Sequence, residues 1–145
     1  MSREKLVDSN HFDFFLILYI INYMNYSKIE SEEDYLEMIL MVQEVKGSVK
    51  SIDVARGLGF SKPSVSVAMK KLKDLNYINI DQKGYIHLTN EGLELANKVY
   101  ERHKTLTKIF ESLGVNPETS EEVACKIEHD LTDDVYIALK NHFNL

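Results

Sequence analysis

Six side chains in this sequence have the types and spacing of metal ligands. Asp34 and Glu37 stand three residues apart, so on a helix their carboxylates share one face; Cys125, Glu128 and His129 follow an i, i+3, i+4 rule. His103 falls in an apolar run of helical period, where an imidazole is costly unless it is hydrogen-bonded or binds a metal. Together a thiolate, two imidazoles and three carboxylates suit divalent iron, manganese, cobalt, nickel or zinc rather than magnesium or calcium. Singly, each has a plainer reading: a satisfied core histidine, an acidic helix start at Glu32-Glu33-Asp34, a small buried cysteine. Only the set points to a metal.

A second chemistry lies between Lys46 and Lys73, where seven basic residues face Asp53 alone although the chain carries a net charge of -6. That window can face phosphate. Within it, Ser61, Lys62, Pro63, Ser64, Ser66, Val67, Lys70 and Lys71 form the start and one face of a predicted helix. The serines suit base edges or phosphates, Val67 a thymine methyl, and the lysines the DNA backbone. From Glu111 onward the balance reverses, with eight acidic residues against Lys126 and Lys140. No glycine-rich phosphate loop, nucleophile elbow or paired CxxC is present, so the chain does not read as an enzyme.

The elements that must position these groups are legible from pattern. Residues 9–26 are apolar nearly all round, which reads as a packed helix. A helix follows from Ser31, its cap, to Gly47. Residues 51–73 hold two helical stretches separated by Gly59-Phe60, a helix-turn-helix, with Val65, Met69 and Leu72 inward. Short β-prone runs at 78–80 and 85–88 flank Asp81-Gln-Lys-Gly84, which makes a wing. Thr89 opens a long helix to about Leu113, striped by Leu93, Ala96, Val99, Tyr100, His103, Leu106 and Phe110. Two more helices are predicted, from Ser120 to about Asp130 and from Thr132, as a cap, to His142.

The fold class is therefore mainly α: a winged helix-turn-helix at 31–88, a helical half at 89–145 that carries four of the candidate metal ligands, and a helical extension at 1–30. One cysteine, two prolines and six glycines in 145 residues exclude a disulfide scaffold and a largely disordered chain. The most apolar run, Phe14 to Ile21, is far shorter than the roughly 20 residues a spanning helix needs. A cytoplasmic protein without a membrane or a small organic substrate is expected.

These residues resemble the diphtheria toxin repressor family of metal-dependent transcriptional regulators, in a short form without the SH3-like third domain. The likeness rests on Glu33-Asp-Tyr-Leu-Glu37, Ser61-Lys-Pro-Ser-Val-Ser66, Leu88-Thr-Asn-Glu-Gly92, Tyr100-Glu-Arg-His103 and Cys125-Lys-Ile-Glu-His129. It implies a homodimer that represses from a double-stranded DNA operator when metal is bound, with Asp34, Glu37, His103, Cys125, Glu128 and His129 at ligand positions. Aspartate at 34 resembles the manganese-sensing branch and cysteine at 125 the iron-sensing one. A thiolate places iron(II) first and manganese(II) second, with zinc(II) or cobalt(II) binding in vitro. Thr107 stands where the family often has a second carboxylate, which argues for one metal per subunit. The rival reading is a metal-independent winged-helix regulator answering to a small molecule or to oxidation of Cys125, whose DNA binding would ignore a chelator.

Overall fold

The structure, a computed structural model, describes residues 31–145; the helix expected over 9–26 lies outside them. The first described helix, α1 (Glu32–Lys46), starts where a capping box closes it. Asp34 N–H donates to Ser31 Oγ at 3.2 Å, and Ser31 N–H donates back to Asp34 Oδ2 at 3.2 Å. The helix ends at Gly47 in the left-handed region. Its Tyr35, Leu36, Met38, Ile39, Leu40 and Val42 are all buried, so α1 runs through the core rather than along it. A fully buried leucine such as Leu36 contributes about 1.5–3 kcal/mol by removal from water.

The helix-turn-helix follows as α2 (Ser51–Leu58) and α3 (Lys62–Asp74), joined through Gly59. Val65, Met69 and Leu72 are buried as their spacing predicts. The antiparallel wing pairs β1 (Ile78–Ile80) with β2 (Ile86–Leu88), Ile78 opposite Leu88 and Ile80 opposite Ile86. Tyr85, expected at the start of the second strand, instead bridges to Lys50. Ile86 N–H donates to the Val49 carbonyl at 2.8 Å, so the segment before α2 lies along the free edge of the second strand, while the Tyr85 carbonyl still accepts from Asp81 N–H at 3.0 Å. At the tip, the Asp81 carboxylate accepts from Lys83 and Tyr85 N–H, and Gly84 supplies the positive φ the turn requires.

The long helix α4 (Asn90–Ser112) is capped by Thr89, whose hydroxyl accepts from Gly92 N–H and donates to the Asn76 carbonyl at 2.7 Å. Gly92 is a close-approach glycine: a Cβ there would lie 1.9 Å from the Tyr77 carbonyl oxygen. Ala96, Val99, His103 and Leu106 are buried as the stripe predicts; Leu93 is exposed, and Arg102, Thr105 and Ile109 are buried in addition. The next helix, α5, spans Pro117–Ile127 rather than beginning at Ser120, because Asn116 Oδ1 accepts from Thr119 N–H and Pro117 is tolerated in the first turn. It stops short of Asp130, giving way to a 3₁₀ turn over Glu128–Asp130. The last helix, α6 (Asp133–Phe143), follows Thr132, which takes the cap position but accepts no backbone N–H; its hydroxyl is turned to the Asp134 carboxylate. α1 packs on α2 and α4, and α5 on α4. No helix among the described residues is long and apolar enough to cross a membrane.

Candidate metal centre

The tertiary structure gathers five of the six expected ligands. α1 contributes Asp34 and Glu37, α4 contributes His103, and the 3₁₀ turn contributes Glu128 and His129. Ligand atoms of Asp34, Glu37 and His129 lie within 4.8 Å of one another, as do those of Glu37, His103 and Glu128. Glu37 belongs to both sets, so the donors have the form of two adjoining triads sharing one carboxylate. His129 Nε2 is 3.0 Å from Asp34 Oδ1 and 3.4 Å from Glu128 Oε1, and His103 Nδ1 is 2.8 Å from Glu128 Oε2.

Burial governs the electrostatics. Glu37 is 1% exposed and Glu128 fully buried. Burial first, and then the facing Glu128, push the Glu37 carboxyl well above the usual carboxylate range. Burial likewise pushes Glu128 up to about 8. His129 is raised to about 10, chiefly by its hydrogen bond to Asp34 and against the opposing effect of burial. Without a cation, protons therefore compensate the cluster. Glu37 Oε1 and Glu128 Oε1 still have no hydrogen-bond partner. A buried acceptor left in that state costs about 1–3 kcal/mol. Two buried carboxylates converging beside two imidazoles fit a divalent cation, which would replace the protons.

Cys125 does not join either triad. The i, i+3, i+4 set spans the end of α5 at Ile127, with Cys125 on α5 and Glu128 and His129 on the 3₁₀ turn that follows. Its side chain is half-buried against the apolar core. Thr107 turns its hydroxyl to the His103 carbonyl at 2.9 Å. The residue that spacing alone did not single out is Glu33, whose Oε2 is 2.7 Å from His129 Nδ1. A carboxylate on the far nitrogen of a ligating imidazole sets its orientation and tautomer. The available signal was Glu33 standing four residues before Glu37, on the same side of α1.

The expected DNA face is mostly exposed on α3. Lys62, Pro63, Ser66 and Lys70 are exposed, and Val67 is 71% exposed. Ser61 and Ser64 are partly committed to the cap: Ser61 Oγ accepts from Ser64 N–H at 3.3 Å and donates to Ser64 Oγ at 3.0 Å. Lys71 forms an ion pair with Glu32 in the first turn of α1, linking the helix-turn-helix to the helix that carries Asp34.

Residues 29–88 match the family described as iron dependent repressor, N-terminal DNA binding domain, and residues 89–144 match iron dependent repressor, metal binding and dimerisation domain. An HTH-type transcriptional regulator of Methanocaldococcus jannaschii is 40% identical over 114 residues, covering 77% of this chain and 90% of the relative. The transcriptional regulator MntR of Escherichia coli is 32% identical over 109 residues, covering 74% of this chain and 70% of that one. Among solved structures, T. acidophilum IdeR superposes with a TM-score of 0.73 at 27% identity, and the manganese regulator SloR with 0.69 at 25%. Each match covers 81% of this chain; the chain spans 56% and 55% of those two. The two family matches meet at the junction of wing and long helix and together take in every described element, and on them the chain belongs to the iron-dependent repressor family, the diphtheria toxin repressor family of its sequence motifs.

Proposed function

We propose that this protein is a transcriptional repressor that binds a double-stranded DNA operator as a homodimer when a divalent transition metal is held by the centre that the two triads form. One observation carries the reading. Asp34 and Glu37 belong to the winged-helix half at 31–88, whereas His103, Glu128 and His129 belong to the helical half at 89–145, and each triad draws on both. A divalent cation supplies a shared positive charge there. Asp34 and Glu37 then hold α1 to the helical half, Glu33 fixes the His129 ring, and α1 transmits the restraint to α3 through Lys71 and the shared core. In a symmetric dimer the two α3 helices read half-sites only at a matching separation, about 34 Å for one turn of DNA. Lys62, Ser66, Val67 and Lys70 are the contacts proposed for α3, with Ser61, Pro63, Ser64 and Lys71 at its margins.

The metal preference follows from the donors. The two triads offer nitrogen and oxygen donors, which suit manganese(II), while a thiolate contributed by Cys125 would favour iron(II); zinc(II) or cobalt(II) would substitute in vitro. The proposed setting is the cytoplasm, with no enzymatic activity.

Fluorescence anisotropy of a promoter fragment from the protein's own locus tests the proposal, titrated in chelator, then with manganese(II), then anaerobically with iron(II). Metal is expected to tighten binding about 5–150-fold, the range of a 1–3 kcal/mol coupling. Asp34→Ala or His129→Ala abolishes that gain, and Cys125→Ser leaves manganese activation unchanged. Metal stoichiometry separates one ion per subunit, expected from Thr107, from two bridged by Glu37. Equal DNA binding in chelator and in metal overturns the reading in favour of a metal-independent regulator.

A further inference from the structure

Glu128 and His129 stand on a 3₁₀ turn, and α6 beyond them has no fully buried residue. Core packing therefore does little to fix the carboxyl-terminal side of that turn. A polar grip does. Arg102, beside His103 on α4, is only 7% exposed. Its Nη1 donates to the Leu131 carbonyl at 2.6 Å, its Nη2 meets the Asp133 carboxylate, and its guanidinium lies 5.5 Å from the Tyr136 ring centre. Lys98, one turn earlier, reaches the same carboxylate at 3.3 Å, and the Thr105 hydroxyl lies 3.3 Å from that of Tyr136. Positions 98, 102 and 105 make one strip along α4.

Stability alone is a poor reason for this arrangement. A buried guanidinium is expensive to desolvate, Nε of Arg102 has no hydrogen-bond partner, and an ion pair to a carboxylate as exposed as Asp133 is worth little. What a planar fork does provide is a fixed relation between two acceptors two residues apart. We propose that Arg102 is a positioning residue for the metal centre. It clamps the Leu131–Asp133 segment to α4 and so holds the 3₁₀ turn where Glu128 meets His103 and where His129 reaches Glu33 and Asp34. The inference rests on the reading of those residues as ligands.

The full-length protein is compared with Arg102→Lys, which keeps a charge but not the fork, and with Asp133→Ala, which removes an exposed partner. Manganese(II) affinity is measured by competition with a fluorescent chelator. Amide hydrogen exchange over residues 128–133 is followed in metal-free protein, and promoter binding is measured at saturating manganese(II). Arg102→Lys is expected to weaken manganese binding about tenfold, the usual cost of removing an orienting partner. Asp133→Ala costs less. Exchange over 128–133 quickens in both, and promoter binding at saturating metal stays at the wild-type level, which a general loss of structure would not permit. Unchanged manganese affinity in both folded variants overturns the proposal, as does faster exchange spread throughout α4 and α5. Should Arg102→Lys fail to fold, Asp133→Ala decides by the same criteria. Should the wild-type protein bind no manganese, the ligand assignment fails, and unchanged exchange over 128–133 in the variants overturns the clamp independently.

Discussion

Glu37→Gln separates the two roles a buried carboxylate can have. Glu37 is 1% exposed, and burial beside Glu128 pushes its carboxyl well above the usual range, which favours the neutral form in the metal-free protein. Glutamine has the same shape and is also neutral, so the metal-free melting temperature is expected to move by no more than about 2 °C, within the range of a shape-conserving change. The metal-bound state differs, because Glu37 serves both triads and an amide is a weak ligand. A ligand at a hundred times its Kd stabilises the folded state by about 2.7 kcal/mol. For a chain of this length that corresponds to roughly 10 °C. Thermal melts with and without manganese(II), at one protein concentration, should show that gain in the wild type and lose nearly all of it in Glu37→Gln. A large fall in the metal-free melting temperature would mean that Glu37 is ionised and structurally required. Persistence of the metal-induced gain would mean that it is not a ligand.

The pH dependence of the metal-free protein has a determined sign. Folding raises Glu128 from 4.5 to about 8 and His129 from 6.5 to about 10, so their contributions are complete below 4.5 and 6.5 and are lost as pH rises towards those folded values. Metal-free melting temperatures should fall between pH 6 and 9 while manganese affinity rises, since binding must displace those protons; parallel trends would contradict the proton inventory. At the junction of the two halves, Gly92→Ala sets a Cβ 1.9 Å from the Tyr77 carbonyl oxygen, which is backbone and cannot rotate away. The expected loss is about 1–3 kcal/mol, or roughly 4–12 °C in a thermal melt, and an unchanged melt would show that α4 and the wing separate without strain.

Much of the architecture was legible because its signals are local. Ser31 with Asp34, Ser61 before Pro63, and Thr89 close helix starts by bonds spanning three residues. The inward side of α3 is set by a period that any short window displays. The helix-turn-helix, the wing and the long helix appear where those signals place them. One boundary shifted where a local signal had a competitor: Asn116 captures the start of α5 ahead of Ser120.

The centre itself divides along the same line. The sequence by itself determined which side chains are capable of ligation, since residue type and helical spacing single out Asp34 with Glu37 and draw attention to His103, Glu128 and His129. Only the tertiary structure decided how they meet. Glu33 finds His129 across 96 positions, Glu37 is shared by two triads, and Arg102 holds the turn from across 29 residues. The physical reason is that spacing fixes direction only within a continuous element. Where a helix tightens into a 3₁₀ turn, or where a contact depends on how α1 lies against α4, direction is set by packing of the whole core, which no short stretch of sequence contains.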